Sequence, residues 1–285
     1  MSILSDDALH RLLSDDAPYG DLSTATLGIG AVTGRCEFRA RQAMRLCGSE
    51  EAARLCELAG LQVSEPARSG TPLAADDLIF VATGTAAALH HAWKTAQVLI
   101  EWSSGIASRA ARIVAAANGV TVACTRKSAP GTKALSVKAV RAGGARMHRL
   151  GLSETLLIFA EHRVFLSETP GETIARLRQQ EPEKQIMVEV SDIATAVRWA
   201  RAGADALQLE KFTPAAVAEC RAALSANAAN AAHSTRATRP PLLAAAGGVD
   251  ADNAAAYVAA GAGLLVTSAP FYAPPCDVAV ALCAC

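Results

Sequence analysis

Beyond residue 109 the chain repeats one pattern six times: a short β-branched or apolar run, then an alanine-rich segment of helical character. The runs are 120–125, 155–159, 186–190, 206–209, 242–246 and 263–267. Repeated strand–helix units build a parallel sheet, either doubly wound or curled into a barrel. Six runs fall short of the eight strands of a closed barrel, so a barrel built from them is expected to be incomplete.

The residues before this point have a different character. A capped helix is predicted over 5–14, and 18–24 reads as a turn into an extended segment. Strand-like stretches at 35–40, 61–64 and 78–82 surround a helix over 49–59, which makes an α+β unit. A long helix over 85–102 follows, and the serines and glycine of 103–108 suit a connection to the second domain. The boundaries expected are therefore 1–108 and 109–274, with the tail 275–285 free to pack back on the first domain. The stretch 222–241, rich in Ala, Asn, Ser and Thr, reads as a helix end and a mobile connection.

Formal net charge is zero, but the charge is unevenly placed. No Asp or Glu occurs from Trp102 to Ser153, where Arg109, Arg112, Arg126, Lys127, Lys133, Lys138, Arg141, Arg146 and Arg149 stand. Such a block points to an anionic ligand, a nucleic acid or a solvated basic face. Residues 103–153 contain no aromatic side chain for bases to stack on, which disfavours single-stranded nucleic acid and favours a small phosphorylated ligand. The first residues lack a cationic stretch followed by an apolar one, and the longest uncharged stretch, 253–276, is broken by glycines and prolines. A cytoplasmic protein without a membrane span is expected. The eight cysteines are scattered with no C-x-x-C pair and read as reduced thiols.

In parallel α/β folds ligands bind beyond the carboxyl ends of the strands. The polar residues at those ends are Arg126 and Lys127, Glu189, Glu210 and Lys211, Gly247 and Gly248, and Ser268. Gly247, Gly248 and Ser268 can offer backbone N–H groups to a phosphate at a helix start. Glu189 and Glu210 can hold a hard cation such as Mg²⁺ together with substrate oxygens. Arg126, Lys127, His148 and Arg149 can neutralise the remaining anionic charge. Each has an ordinary alternative: the glycine pair as a turn, Glu189 as a structural carboxylate, His148 as a hydrogen-bonded structural histidine. Lys127 at a strand end also fits a Schiff-base lysine.

These residues sit in longer runs that resemble one family. TRKSAPG (125–131), AVRAGG (139–144) and HRLGL (148–152) are similar to the ordered T-R-K-T-x-P-G, A-V-x-x-G-G and H-R-x-G-L run of quinolinate phosphoribosyltransferases. SGIAS (104–108), YGDLST (19–24), VEV (188–190), LEKF (209–212) and AGGV (246–249) extend the likeness over nearly the whole chain. HAWKTAQ (91–97), GLSET (151–155) and TSAPFYAPP (267–275) resemble, more narrowly, the ModD branch associated with molybdenum-transport operons.

The resemblance implies an N-terminal α/β sandwich followed by an incomplete, six-stranded α/β barrel of the type II phosphoribosyltransferase kind. It also implies a homodimer with a shared active site, or a higher oligomer. The implied reaction is transfer of phosphoribosyl from phosphoribosyl pyrophosphate (PRPP), with Mg²⁺, to a small-molecule acceptor. Arg126, Lys127, His148, Arg149, Glu189 and Glu210 would be catalytic, with Lys94, Phe159, Lys211, Gly247, Gly248 and Ser268 binding substrate.

The chain also departs from the family pattern. Phe159 in LIFAEH (157–162) stands where the family carries lysine, Lys94 where it carries arginine, Glu210 where it carries aspartate, and Ala246 where it carries serine. A buried carboxylate without a cation costs several kcal/mol, roughly, so losing the lysine argues against a dicarboxylate acceptor. Three readings follow: transfer to a less anionic aromatic or heterocyclic acceptor, quinolinate phosphoribosyltransferase itself, or a non-catalytic anion or nucleotide sensor on the same fold.

Overall fold

The computed structural model describes residues 2–230 and 240–285. The chain folds as two interleaved units, Met1–Arg112 with Ser128–Ala145 and Pro270–Cys285, and Ile113–Lys127 with Arg146–Ala269.

The first unit carries an antiparallel sheet in the order Val278–Ala284, Thr33–Ala40, Leu78–Thr85, Gln62–Val63. Strict alternation along Thr33–Ala40 turns Cys36, Phe38 and Ala40 into the core, where the Phe38 and Phe80 rings stack at 4.4 Å. The helix Asp6–Asp16 adds Leu9 and Leu13 to that core, and the side chain of its cap, Ser5, accepts from the Ala8 N–H. The chain's end joins as an edge strand paired with Thr33–Ala40.

Two sequence expectations are corrected here. Residues 22–27 are helical, because Asp21 accepts from the Ser23 and Thr24 N–H groups and caps the helix Leu22–Leu27. The serines and glycine at 103–108 do not interrupt the preceding helix, which runs unbroken over Ala86–Ala116. Ser103 Oγ donates to the carbonyls of Leu99 and Cys47, and Ser104 Oγ donates to Cys47, so the hydroxyls are satisfied without leaving the helix. A Cβ on Gly105 would lie 2.3 Å from the Pro274 carbonyl oxygen. The small residues are thus a close-packing seam.

The basic block also contains a cation that faces the interior. Lys138, on the helix Lys133–Ala142, donates to Glu50 Oε2 at 2.8 Å and Glu51 Oε2 at 2.6 Å, and Glu51 is fully buried. Glu51 Oε1 accepts from the Ile3 N–H, and Glu50 accepts from the Ser69 N–H and hydroxyl. Burial pushes the Glu50 carboxyl up, but Lys138 and Ser69 outweigh it and hold it down at about 2. A carboxylate depressed in the folded state contributes stability above its unfolded value, and that stability is lost as pH falls through the folded one. The urea midpoint of this unit is therefore expected to fall between about pH 4.5 and about 2. The fall should be shallower in Glu50→Gln, as fluorescence-monitored unfolding across that range would show.

The second unit holds a parallel sheet in the order Arg146–Met147, Thr121–Cys124, Leu264–Thr267, Leu242–Ala246, Ala206–Glu210, Ile186–Val190, Leu156–Ile158. All six runs read from the sequence are present as strands. The seventh, Arg146–Met147, is a two-residue strand whose flanking glycines and arginines hide it from an apolarity search. The two outer strands do not pair with each other, so the barrel is open. One face carries Ile186, Val188, Val190, Leu207, Leu209, Leu243, Ala245 and Leu265, all buried. The other carries a cluster of Ala244, Ala246 and Val266 with Met187 and Leu264 against it. The helix Pro214–Asn230 has its last described residues within the 222–241 stretch read as a helix end, and the connection expected there lies partly outside the described residues.

Candidate active site

Parallel register fixes which side chains share a face, because side chains alternate along each strand and partners across a ladder point the same way. Gln208 stands opposite Glu189 on one side and Ala244 on the other, and Glu210 stands opposite Ala246. Ala123 stands opposite Val266 and Arg146, which carries the same face one step on to Thr125 and His148. Leu157 stands opposite Met187, which carries it to Phe159. Thr125, His148, Phe159, Glu189, Gln208, Glu210 and Ser268 therefore line the carboxyl-terminal rim on one face, the one whose floor is Ala244, Ala246 and Val266.

The acidic side of this rim is a coupled pair. Gln208, 6% exposed, donates from Nε2 to Glu189 Oε2 at 2.7 Å. Arg163 donates to the Glu189 backbone carbonyl at 2.5 Å. Burial, and then the like charge of Glu210, push the Glu189 carboxyl up.

The basic side is partly enclosed. Arg149 is 6% exposed, its guanidinium lies 5.3 Å from the Phe159 ring centroid, and no carboxylate among the described residues pairs with it. Burial and the neighbouring Arg126 lower its pKa. Burial and the Arg149 charge hold His148 below the usual histidine range, which keeps the imidazole neutral near pH 7. His148 Nε2 and Thr125 Oγ1 are both buried with no hydrogen-bond partner among the described residues. A buried polar atom left unpaired costs about 1–3 kcal/mol, so the pair marks a place where a ligand or water supplies the missing bonds. Arg126 and Lys127 are exposed. A Schiff-base lysine needs an enclosing apolar pocket, which exposed Lys127 lacks.

After Leu242–Ala246 the chain turns at Gly247 and Gly248, with φ of 82° and 98°. A Cβ on Gly247 would lie 2.8 Å from Lys211 Cγ and 2.9 Å from Glu210 Oε1, so only glycine lets this turn approach the carboxylate. Lys211 is itself left-handed, at φ 59°. The turn is separated by residues 249–253 from the seven-residue helix Ala254–Ala260, so its amides are those of a glycine turn and not of a helix's first turn. Thr267 Oγ1 donates to the Val249 carbonyl at 2.5 Å and ties this turn to the last strand.

Of the residues singled out from sequence, Lys94 belongs to the first unit, where it is exposed, 4.2 Å over the Trp93 ring and donating to Gln97 at 2.8 Å. The sequence reading missed Thr125, Gln208 and Arg163. Gln208 had a signal: it is two residues before Glu210 and so shares its face in an otherwise apolar strand.

This architecture has relatives among known proteins. The pattern of the quinolinate phosphoribosyl transferase C-terminal domain matches residues 106–281, and that of the N-terminal domain matches residues 21–104. A Rhodobacter capsulatus protein named, provisionally, pyrophosphorylase ModD is 46% identical over 260 residues, 90% of this chain and 96% of the relative. A protein of the same name from Escherichia coli O6:H1 is 36% identical over 99% of this chain and 98% of its own length. The crystal structure of NadC from Streptococcus pyogenes shares the fold over the full length of both chains, with a TM-score of 0.85 at 22% identity.

Proposed function

Since the chain belongs to the quinolinate phosphoribosyl transferase family, we propose that it transfers the phosphoribosyl group of PRPP to a ring nitrogen of an aromatic or heterocyclic acceptor, releasing pyrophosphate. The observation that carries this reading is the division of one rim into a carboxylate pair, Glu189 and Glu210, and a cationic side of Arg149, Arg126 and Lys127 around the neutral His148.

The ring nitrogen's lone pair forms the bond to C1′ of the ribose as the C1′–oxygen bond breaks, its electron pair leaving with pyrophosphate. Positive charge gathers on the sugar and negative charge on the leaving group, so fixed charges of both signs stabilise the transition state. In this reading Glu189 and Glu210 meet the sugar. Exposed Arg126 and Lys127 would meet pyrophosphate, and the glycine turn at 247–248 would offer amides to a 5′-phosphate.

Mg²⁺ is the ion the family implies. Glu189 and Glu210 fit it, because burial and the like charge of Glu210 push the Glu189 carboxyl up, and a divalent cation would relieve that repulsion. No group of three or more potential ligands gathers among the described residues, so substrate oxygens and water would complete the shell. Bound there, the ion would neutralise charge on the pyrophosphate. Among the described residues no helix is long and apolar enough to cross a membrane.

The test is pyrophosphate release from PRPP, followed with a coupled assay across a panel of ring-nitrogen acceptors. Acceptor-dependent release is expected from the intact protein. Folded protein that binds PRPP but releases no pyrophosphate with any acceptor would favour a sensor on this fold.

A further inference from the structure

Gln208 is a polar residue at the centre of an otherwise apolar stretch. In the strand Ala206–Glu210 it stands between Leu207 and Leu209, both fully buried, and is itself 6% exposed. An amide in such a place costs free energy unless it is hydrogen-bonded. Its side-chain partner among the described residues is Glu189, directly across the ladder, whose Oε2 accepts from Gln208 Nε2 at 2.7 Å. Across the other ladder lies Ala244, whose methyl offers no hydrogen bond. The amide is thus committed to one carboxylate.

Glu189 is held at a second point. Arg163, at the end of the helix Ala160–Arg163, donates to its backbone carbonyl at 2.5 Å and braces the end of the strand Ile186–Val190. With the backbone and Oε2 both held, Oε1 is the carboxylate oxygen left without a partner among the described residues. A neutral donor orients this carboxylate without cancelling its charge, whereas an arginine or lysine in the same place would neutralise it.

Resting on the transferase reading above, we infer that Gln208 is a positioning residue: it holds Glu189 by Oε2 so that Oε1 is the oxygen presented to the substrate, with the full negative charge kept. Gln208 acts through Glu189 and not on the substrate itself.

Calorimetric titration of the intact protein with PRPP in the presence of Mg²⁺ tests this. Gln208→Met keeps the side chain's length and removes only the amide, and is expected to weaken PRPP binding by about fivefold or more. Gln208→His, which keeps a nitrogen donor at a similar reach, should recover binding to within about threefold of wild type. In a Glu189→Ala background Gln208 has no carboxylate to hold, so adding Gln208→Met should change the affinity by less than about twofold. Should Gln208→Met fail to fold, Gln208→Asn takes its place, its amide one methylene too short for the 2.7 Å contact, with the same losses expected. Binding by Gln208→Met within about twofold of wild type would overturn the inference. So would a loss that Gln208→His does not recover, or one as large in the Glu189→Ala background as in the wild type, since packing alone would produce either. If Glu189→Ala binds no PRPP at all, the histidine rescue decides. Wild-type protein that binds no PRPP would instead overturn the transferase reading, and with it the premise.

Discussion

Replacing Lys138 by methionine is expected to lower the thermal midpoint of the N-terminal unit by about 10 °C. The reason is local: Glu51 is fully buried and Glu50 is 15% exposed, and both take their compensating charge from one ammonium. Removing one partner of a buried ion cluster typically costs about 3–5 kcal/mol, because the remaining charge keeps its desolvation penalty and loses its attraction. At roughly 2–4 °C per kcal/mol for proteins of this size class, the shift is easily read by calorimetry. The companion variant carrying Glu50→Gln and Glu51→Gln with Lys138→Met should recover most of the loss, since no charge is then stranded. A shift below about 2 °C in the single variant would mean that water reaches the cluster and screens it.

The second large effect is on activity. Glu189→Gln keeps the side chain's shape and an oxygen to accept from Gln208, so its thermal midpoint should stay within about 2 °C of wild type. In the proposed reaction it would remove the negative charge that meets the developing positive charge on the sugar. By analogy with the loss of one preorganised electrostatic group elsewhere, kcat/KM should fall by roughly 10²–10³. A loss smaller than threefold would place Glu189 outside the reacting centre. A large loss accompanied by a lowered midpoint would assign it to the fold.

Where sequence and structure agree, period explains the agreement. The six apolar runs mark their strands because each is short, bounded by polar residues and uniformly apolar on the face the helices cover. The rim residues Glu189, Glu210, Gly247 and Ser268 were legible for the same reason, since the end of an apolar run is the end of a strand. Thr125 and Gln208 were not found by looking after the runs, because they lie within them or at their last residue; register brings them to the rim, and register is a property of paired strands. Ser103, Ser104 and Gly105 read as a break because hydroxyls and glycine favour breaks when exposed. Here a long-range contact with Pro274 and Cys47 decides otherwise.

Lys138 shows the limit most plainly. Within the basic block its charge sets it no further apart than Lys133 or Arg141, and nothing local reveals that its partners lie 88 and 87 residues away. Phe159 illustrates the converse. Set against the family pattern, where lysine stands, it argued against a dicarboxylate acceptor, and the structure adds its neighbours, Arg149 and His162.

The central claim is that this rim takes a pyrophosphate-bearing sugar with the help of a divalent cation. It is tested most directly by calorimetric titration of PRPP into the intact protein with and without Mg²⁺, alongside Arg126→Ala, an exposed residue whose loss should leave the fold intact. Binding that requires Mg²⁺ and weakens at least tenfold in the variant is the expected result. Absence of binding to folded protein, or binding indifferent to both Mg²⁺ and Arg126, would contradict the account and leave the family likeness as a statement about fold.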